Sequence, residues 1–470
     1  MLFNSFQFII FFPLICIGYY SIPFKWRNMF LLICSYVLYM NWIPVYALIL
    51  LGITLTTYTA ARLFELYGSS TSKRKIIMWS GVLFTLTCLL FFKYYNFIND
   101  SLHELLANIG LRFKLPGLNW AIPIGISFYT FQAYGYMMDV YWSKIKAEKN
   151  FFDYALFVAF FPQIASGPIS KASSLLPQIK RQRPFNSQQV VGGGKWLMWG
   201  MFMKVVLADR IALYANTILD NYTHQSGLSC FIASLCYTIQ IYGDFAGYSI
   251  MAVGVSKIIG FELINNFNRP YFSASITEFW RRWHISLSIW LKDYIYIPLG
   301  GNRCSKLRNY GNILITFLIS GIWHGANWTF IVWGLIHGGY QIVEKVLNAQ
   351  KCECHNWKKA SRILLTFLLI NFAWIFFRMP SVNDALIIVK KIFTDIISTP
   401  YIPDSNSVVL MITAVLIWLF KEVRDEYFPH KFLLFDNQNI IIRWTTYLFI
   451  TAIIVMNGVF DASQFIYVSF

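Results

Sequence analysis

The stretch NILITFLISGIWHGANWTFIVWGLIHGG, residues 312–339, sets His324 between two apolar runs. Neither run alternates apolar and polar residues, so neither reads as a barrel strand. Each reads as a membrane helix. An imidazole is costly in hydrocarbon and normally faces a cavity or the bundle interior. Gly321 and Gly325 flank it, and glycines let a helix or a substrate approach the backbone closely. The alternative is a histidine satisfied by a neighbouring carbonyl.

Outward from this stretch the pattern repeats. Of the 470 residues, 57% are hydrophobic and only 13% are charged, about half the charged share of a soluble domain. Apolar segments fall at 5–22, 29–41, 45–64, 76–95, 119–141, 152–169, 195–218, 228–260, 309–322, 327–346, 361–378, 407–421 and 443–460. The expected fold is all-α and polytopic. About ten to thirteen helices are embedded in the membrane, some of them short or re-entrant. Residues 1–470 read as a single integral-membrane domain. The first apolar segment has no basic lead-in and no small-residue cleavage site, so it reads as a retained span.

The net charge of +17 does not point to nucleic acid. The basic residues cluster in short loops, as the positive-inside rule expects. Lys25 and Arg27, then Lys73, Arg74 and Lys75, then Lys144, Lys146 and Lys149 follow every second span. That alternation places the N-terminus outward. The cysteines mostly sit in apolar runs as small hydrophobes, and "CECH" (352–355) is too tightly spaced for a structural zinc site. "GGGK" (192–195) lacks the P-loop spacing and reads as a flexible lead-in to a helix. No repeat of fixed period appears, which weakens a transporter reading.

Four further polar groups sit in apolar surroundings. In WRRWHISLSIWLKDY (280–294) a continuous helix places Trp280, Trp283, Leu287, Leu291 and Tyr294 on one face. Arg281, Ser288 and Lys292 fall on another, and His284 on the border between them. This is an interfacial pattern, with His284 either resting in the interface or pointing into a polar pocket. Asp244, among aromatics and glycines, requires a basic partner or a helix N-terminus. Asp139 reads the same way. His337 lies thirteen residues after His324, about 20 Å along a continuous helix. The two share a proton-transfer site only if that helix breaks, and His337 reads as a packing or supporting residue. There is no HExxH, no defensible Ser-His-Asp order and no metal site. What remains is a lone imidazole able to act as general base on a hydroxyl.

PIGISFYTFQ (123–132), FFPQIASGPI (160–169), QIYGDFAGYS (240–249), the long run from Asn266 to Arg303 and SGIWHGANWTFIVWGLIHG (320–338) resemble the membrane-bound O-acyltransferase family. The likeness is to its bacterial branch of alginate and peptidoglycan O-acetylation proteins and covers nearly the whole chain. It implies a helical bundle around a central tunnel. It also implies a paired site of an Asn or His followed by a catalytic His, here His284 and His324. On this resemblance the chain moves an acyl group, acetyl above all, from a cytoplasmic thioester to a hydroxyl of an extracytoplasmic glycan or of a secreted partner. Acetyl-CoA is the implied donor substrate, and no tightly bound cofactor is implied. The location is the bacterial inner membrane, with the lipid bilayer and a secreted or periplasmic glycan acetyltransferase as partners. A neighbouring branch sends D-alanine from a carrier protein toward teichoic acid, and that alternative stays open. So does a transporter or scaffold without acyl chemistry. Arg281 and Arg282 either attract the donor's phosphates or anchor the helix to anionic lipid. Trp323 and Trp328 either wall the tunnel or serve packing alone.

Overall fold

A computed structural model of the chain describes residues 3–68, 70–111, 114–350 and 357–460. The 352–355 tetrad and the two chain ends (1–2 and 461–470) lie outside these. The described residues form helices and no strands. Among the described residues five helices are long and apolar enough to cross a membrane: Pro44–Leu66, Thr71–Asn108, Trp357–Arg378, Ser405–Tyr427 and Ile440–Asn457. The other expected spans form shorter or more polar helices, such as Phe6–Ser21 and Phe24–Met40. The stretch that follows the apolar segment 76–95 continues as helix to Asn108.

The chain divides into two compact units. One comprises Phe6–Val191 with Val255–Ile264. Its interior is tied by buried polar groups that a membrane protein must pair off. Tyr154 shares a 2.7 Å bond with the Thr57 hydroxyl. The Gln163 amide donates to the Gln132 carbonyl at 2.9 Å. Asp139 pairs with Lys144 at 3.5 Å, the structural ion pair expected for it. At Gly125, where φ is +70°, a Cβ would stand 1.8 Å from the Ile164 carbonyl oxygen, so only glycine fits.

The second unit, Gly192–Gly254 with Asn265–Phe470 and Leu2–Ser5, carries the histidines. "GGGK" is not a flexible lead-in here. It lies inside the Ser187–Met201 helix, and Gly193 and Gly200 on that helix face Gly254 and Gly247 on Gly227–Ile258. A Cβ on Gly254 would come within 2.7 Å of the Gly193 carbonyl oxygen, and one on Gly200 within 2.6 Å of that of Gly247. Bare glycine faces let these two backbones approach closely. Just beyond, residues Phe202–Ala208 wind as a π-helix, a wider turn often found at functional places.

The Lys306–His324 and Trp328–Val346 helices pack antiparallel. Ser305 caps the first by accepting from Arg308 N–H, and Asn327 caps the second by accepting from Thr329 N–H at 3.0 Å. A Cβ on Gly321 would meet the Phe330 carbonyl oxygen at 2.3 Å, and one on Gly325 the Phe330 ring at 2.1 Å. Both glycines that flank His324 therefore admit the neighbouring helix and not a substrate.

The interfacial helix expected over 280–294 is not continuous. It breaks at His284, whose backbone is left-handed (φ +42°, ψ +55°), between Ile276–Arg282 and Ile285–Leu291. The face assignment made for one straight helix therefore fails. The first arm runs along Trp328–Val346: Ile276 and Thr277 bond Glu344, and Trp280 meets His337 and Trp333. The second returns along Lys306–His324, from His284 beside Trp323 to Tyr296 beside Asn309. The segment is a hairpin with His284 at its turn.

Candidate active site

His284 and His324 are brought together through one indole. The Trp323 ring lies 5.7 Å from the His284 ring and 4.8 Å from the His324 ring, centroid to centroid. His284 is fully buried and also meets Phe245 edge-on at 4.7 Å. His324, 3% exposed, meets Trp333 at 5.0 Å and Phe377 at 5.3 Å. The two histidines thus stand in a shared aromatic cage. Such a cage excludes water, which strengthens any electrostatic interaction inside and protects a reactive ester from hydrolysis.

His337 belongs to the same layer. The helix does break after His324, so the separation expected for one straight helix is not kept. The Trp333 indole lies between the two rings, 5.0 Å from His324 and 4.8 Å from His337. His337 accepts a hydrogen bond at Nδ1 from the Trp280 indole N–H at 3.2 Å. That bond ties the first arm of the hairpin to the second helix of the histidine pair.

Asp244 has the basic partner its burial requires. The Lys204 ammonium lies 2.5 Å from Asp244 and 2.7 Å from Asp209, all three side chains being at most 2% exposed. The glycine contact between Ser187–Met201 and Gly227–Ile258 brings Lys204 within reach. Next to Asp244 in the chain stands Phe245, which packs on His284.

The two arginines separate. Arg282 forms ion pairs with Glu278 at 2.7 Å and Glu426 at 3.0 Å, and Glu426 also holds Arg269 at 2.7 Å. Its charge is balanced within the protein. Arg281 is exposed. The tryptophans separate too: Trp323 is 4% exposed and in the cage, whereas Trp328 is 55% exposed at the start of its helix.

The profile of the membrane-bound O-acyltransferase family matches residues 143–383, a span that includes both histidines, Lys204, Asp244 and Glu344. The chain is 38% identical over 402 residues to a "Probable alginate O-acetylase" of Pseudomonas aeruginosa, covering 84% of this chain and 75% of that protein. The chain belongs to the membrane-bound O-acyltransferase family. It is an O-acyltransferase and a multi-pass membrane protein. It is also similar to a "Peptidoglycan O-acetyltransferase" of Helicobacter pylori, 35% identical over 83% of this chain and 79% of that one. Similarity to a "Teichoic acid D-alanyltransferase" of Bacillus subtilis is lower, 29% over 54% of this chain and 68% of that one.

Three residues around the candidate site were missed by sequence reasoning. Lys204 sits in the apolar run GMFMKVVLA (200–208) and carried the same signal as Asp244, a charge in hydrocarbon. Trp333 stands four residues before His337, one helical turn away on the same face. Glu344 gave no local signal, because its bonds reach back more than sixty residues.

Proposed function

We propose that this acyltransferase moves an acetyl group from acetyl-CoA on the cytoplasmic side to a hydroxyl of an extracytoplasmic glycan, directly or through a secreted partner. The observation that carries the reading is the pair of buried imidazoles, His284 and His324, flanking one indole. This pair sits in a chain similar to proteins named for alginate and peptidoglycan O-acetylation. The chain acts as one catalytic domain in the bacterial inner membrane with its N-terminus outward, consistent with the alternation of basic loops.

His324 takes the proton of the acceptor hydroxyl as its oxygen attacks the thioester carbonyl. The tetrahedral adduct then collapses, the carbon–sulfur bond breaks, and the imidazolium returns the proton to the departing thiolate. His284 orients donor or acceptor beside it. Both rings are buried, so this transfer requires a passage to them past the cage walls of Trp323, Trp333 and Phe377. Arg281 attracts the donor's phosphates.

The test uses the purified, membrane-reconstituted protein with labelled acetyl-CoA and a glycan acceptor, with and without a secreted glycan acetyltransferase. His324→Ala should lower transfer by roughly 10²–10⁴ while inserting normally. Full transfer by that variant would refute the role of His324. Acceptance of a D-alanyl carrier thioester in place of acetyl-CoA would move the protein to the teichoic-acid branch. Solute flux without acyl change would mark a transporter, and partner binding without transfer a scaffold.

A further inference from the structure

The hairpin that presents His284 is fastened at both feet by two consecutive residues of one helix, Glu344 and Lys345. The first arm, Ile276–Arg282, has seven residues, too few to hold itself as a helix. Its N-terminal N–H groups are nevertheless all satisfied. Ser275 Oγ accepts from Glu278 N–H at 3.0 Å, and Phe279 N–H bonds the Ser275 carbonyl at 2.9 Å. Ile276 N–H and Thr277 N–H, which no cap within the segment reaches, both donate to the Glu344 carboxylate, the second at 2.9 Å. The Thr277 hydroxyl donates to it as well, at 2.9 Å. At the other foot Lys345 Nζ donates to Asn309, whose amide donates to the Tyr296 hydroxyl at 2.7 Å and the Gly301 carbonyl at 2.8 Å.

We propose that Glu344 is a positioning residue for acyl transfer, setting how far His284 reaches toward His324. A carboxylate accepting two N–H groups at a helix N-terminus fixes that helix along its axis. His284 lies eight residues from Ile276, at the far end of this arm. Sliding of the arm by a fraction of a turn moves the imidazole out of register with Trp323 and His324. Further along the arm Trp280 bonds His337 at 3.2 Å and Arg282 pairs with Glu426 at 3.0 Å, but the Ile276 and Thr277 N–H groups, at its start, meet only Glu344 among the described residues. The role rests on the reading of His284 and His324 as the working pair.

The test is a double-mutant cycle on reconstituted full-length protein, with melting temperature followed in parallel. Glu344→Ala should lower kcat roughly 10–100-fold, because small misplacements of a working group are that costly. The donor KM should stay within about twofold. Glu344→Gln, which keeps one acceptor oxygen, should recover part of the rate; it also carries the test if the alanine variant does not insert. In a His284→Ala background, Glu344→Ala should cost no further rate beyond about twofold. Undiminished kcat in Glu344→Ala, or the same loss with and without His284, overturns the proposal. If His284→Ala alone leaves the rate intact, the reading of His284 fails, and that outcome is visible before Glu344 is touched.

Discussion

Trp333 meets His324 edge-to-face, with ring centroids 5.0 Å apart and an interplanar angle of 85°. The positive edge of one ring against the face of the other is a favoured aromatic arrangement. The same indole reaches His337 on its own helix. It therefore seals the space between the proposed base and the hydrogen bond that anchors the hairpin. Trp333→Phe removes part of that seal. Thiol release from acetyl-CoA in the absence of acceptor should rise about 3–10-fold, while transfer to acceptor falls. Unchanged hydrolysis would show that Trp333 serves packing alone.

Lys204 holds two carboxylates in an interior that offers them little water. Lys204→Met leaves Asp209 and Asp244 facing each other without the cation. Breaking such a buried pair costs about 3–5 kcal/mol. The detergent-solubilised variant should melt far below the parent or fail to accumulate. Lys204→Met combined with Asp209→Asn and Asp244→Asn should regain most of that loss, because the buried charges disappear together.

Gly321 and Gly339 provide a matched pair. A methyl group added at Gly321 would stand 2.3 Å from the Phe330 carbonyl oxygen, whereas one at Gly339 would meet nothing within 4 Å. Gly321→Ala should force the two helices apart, lowering stability by about 1–3 kcal/mol and reducing transfer with it. Gly339→Ala should be neutral or stabilising by up to about 1 kcal/mol, since alanine favours the helix. Thermal melting of the two variants side by side checks both.

Arg281 and Arg282 should respond differently. Arg281→Gln is expected to raise the donor KM about 3–10-fold at low salt, with the difference fading as salt screens the phosphates. Arg282→Gln should leave that KM nearly unchanged. It should instead lower stability by about 1–3 kcal/mol, because Glu278 and Glu426 lose a charged donor. Equal KM effects would place both side chains on the donor.

The helical class and the prominence of His324 were legible in the sequence, because a polar ring in a long apolar run has few explanations. The partner of Asp244 was foreseeable in kind but not in name. Lys204 is forty residues upstream, and only the packing of glycine faces brings it close. The segment around His284 misled for a definite reason. Its apolar and basic residues fit one helical wheel, yet the hairpin is held by bonds from Glu344, Asn309 and Tyr296 that no local pattern encodes. The "GGGK" run was mistaken for a flexible lead-in because glycine marks flexibility in water and close packing in a membrane.

The left-handed backbone at His284 has a consequence for which replacements the position tolerates. Among residues with a side chain, asparagine enters that conformation with least strain, and β-branched residues hardly enter it at all. Drift at this site is therefore channelled: a carboxamide can replace the ring while the turn keeps its shape. A valine or isoleucine would unmake the turn before any chemistry was tried.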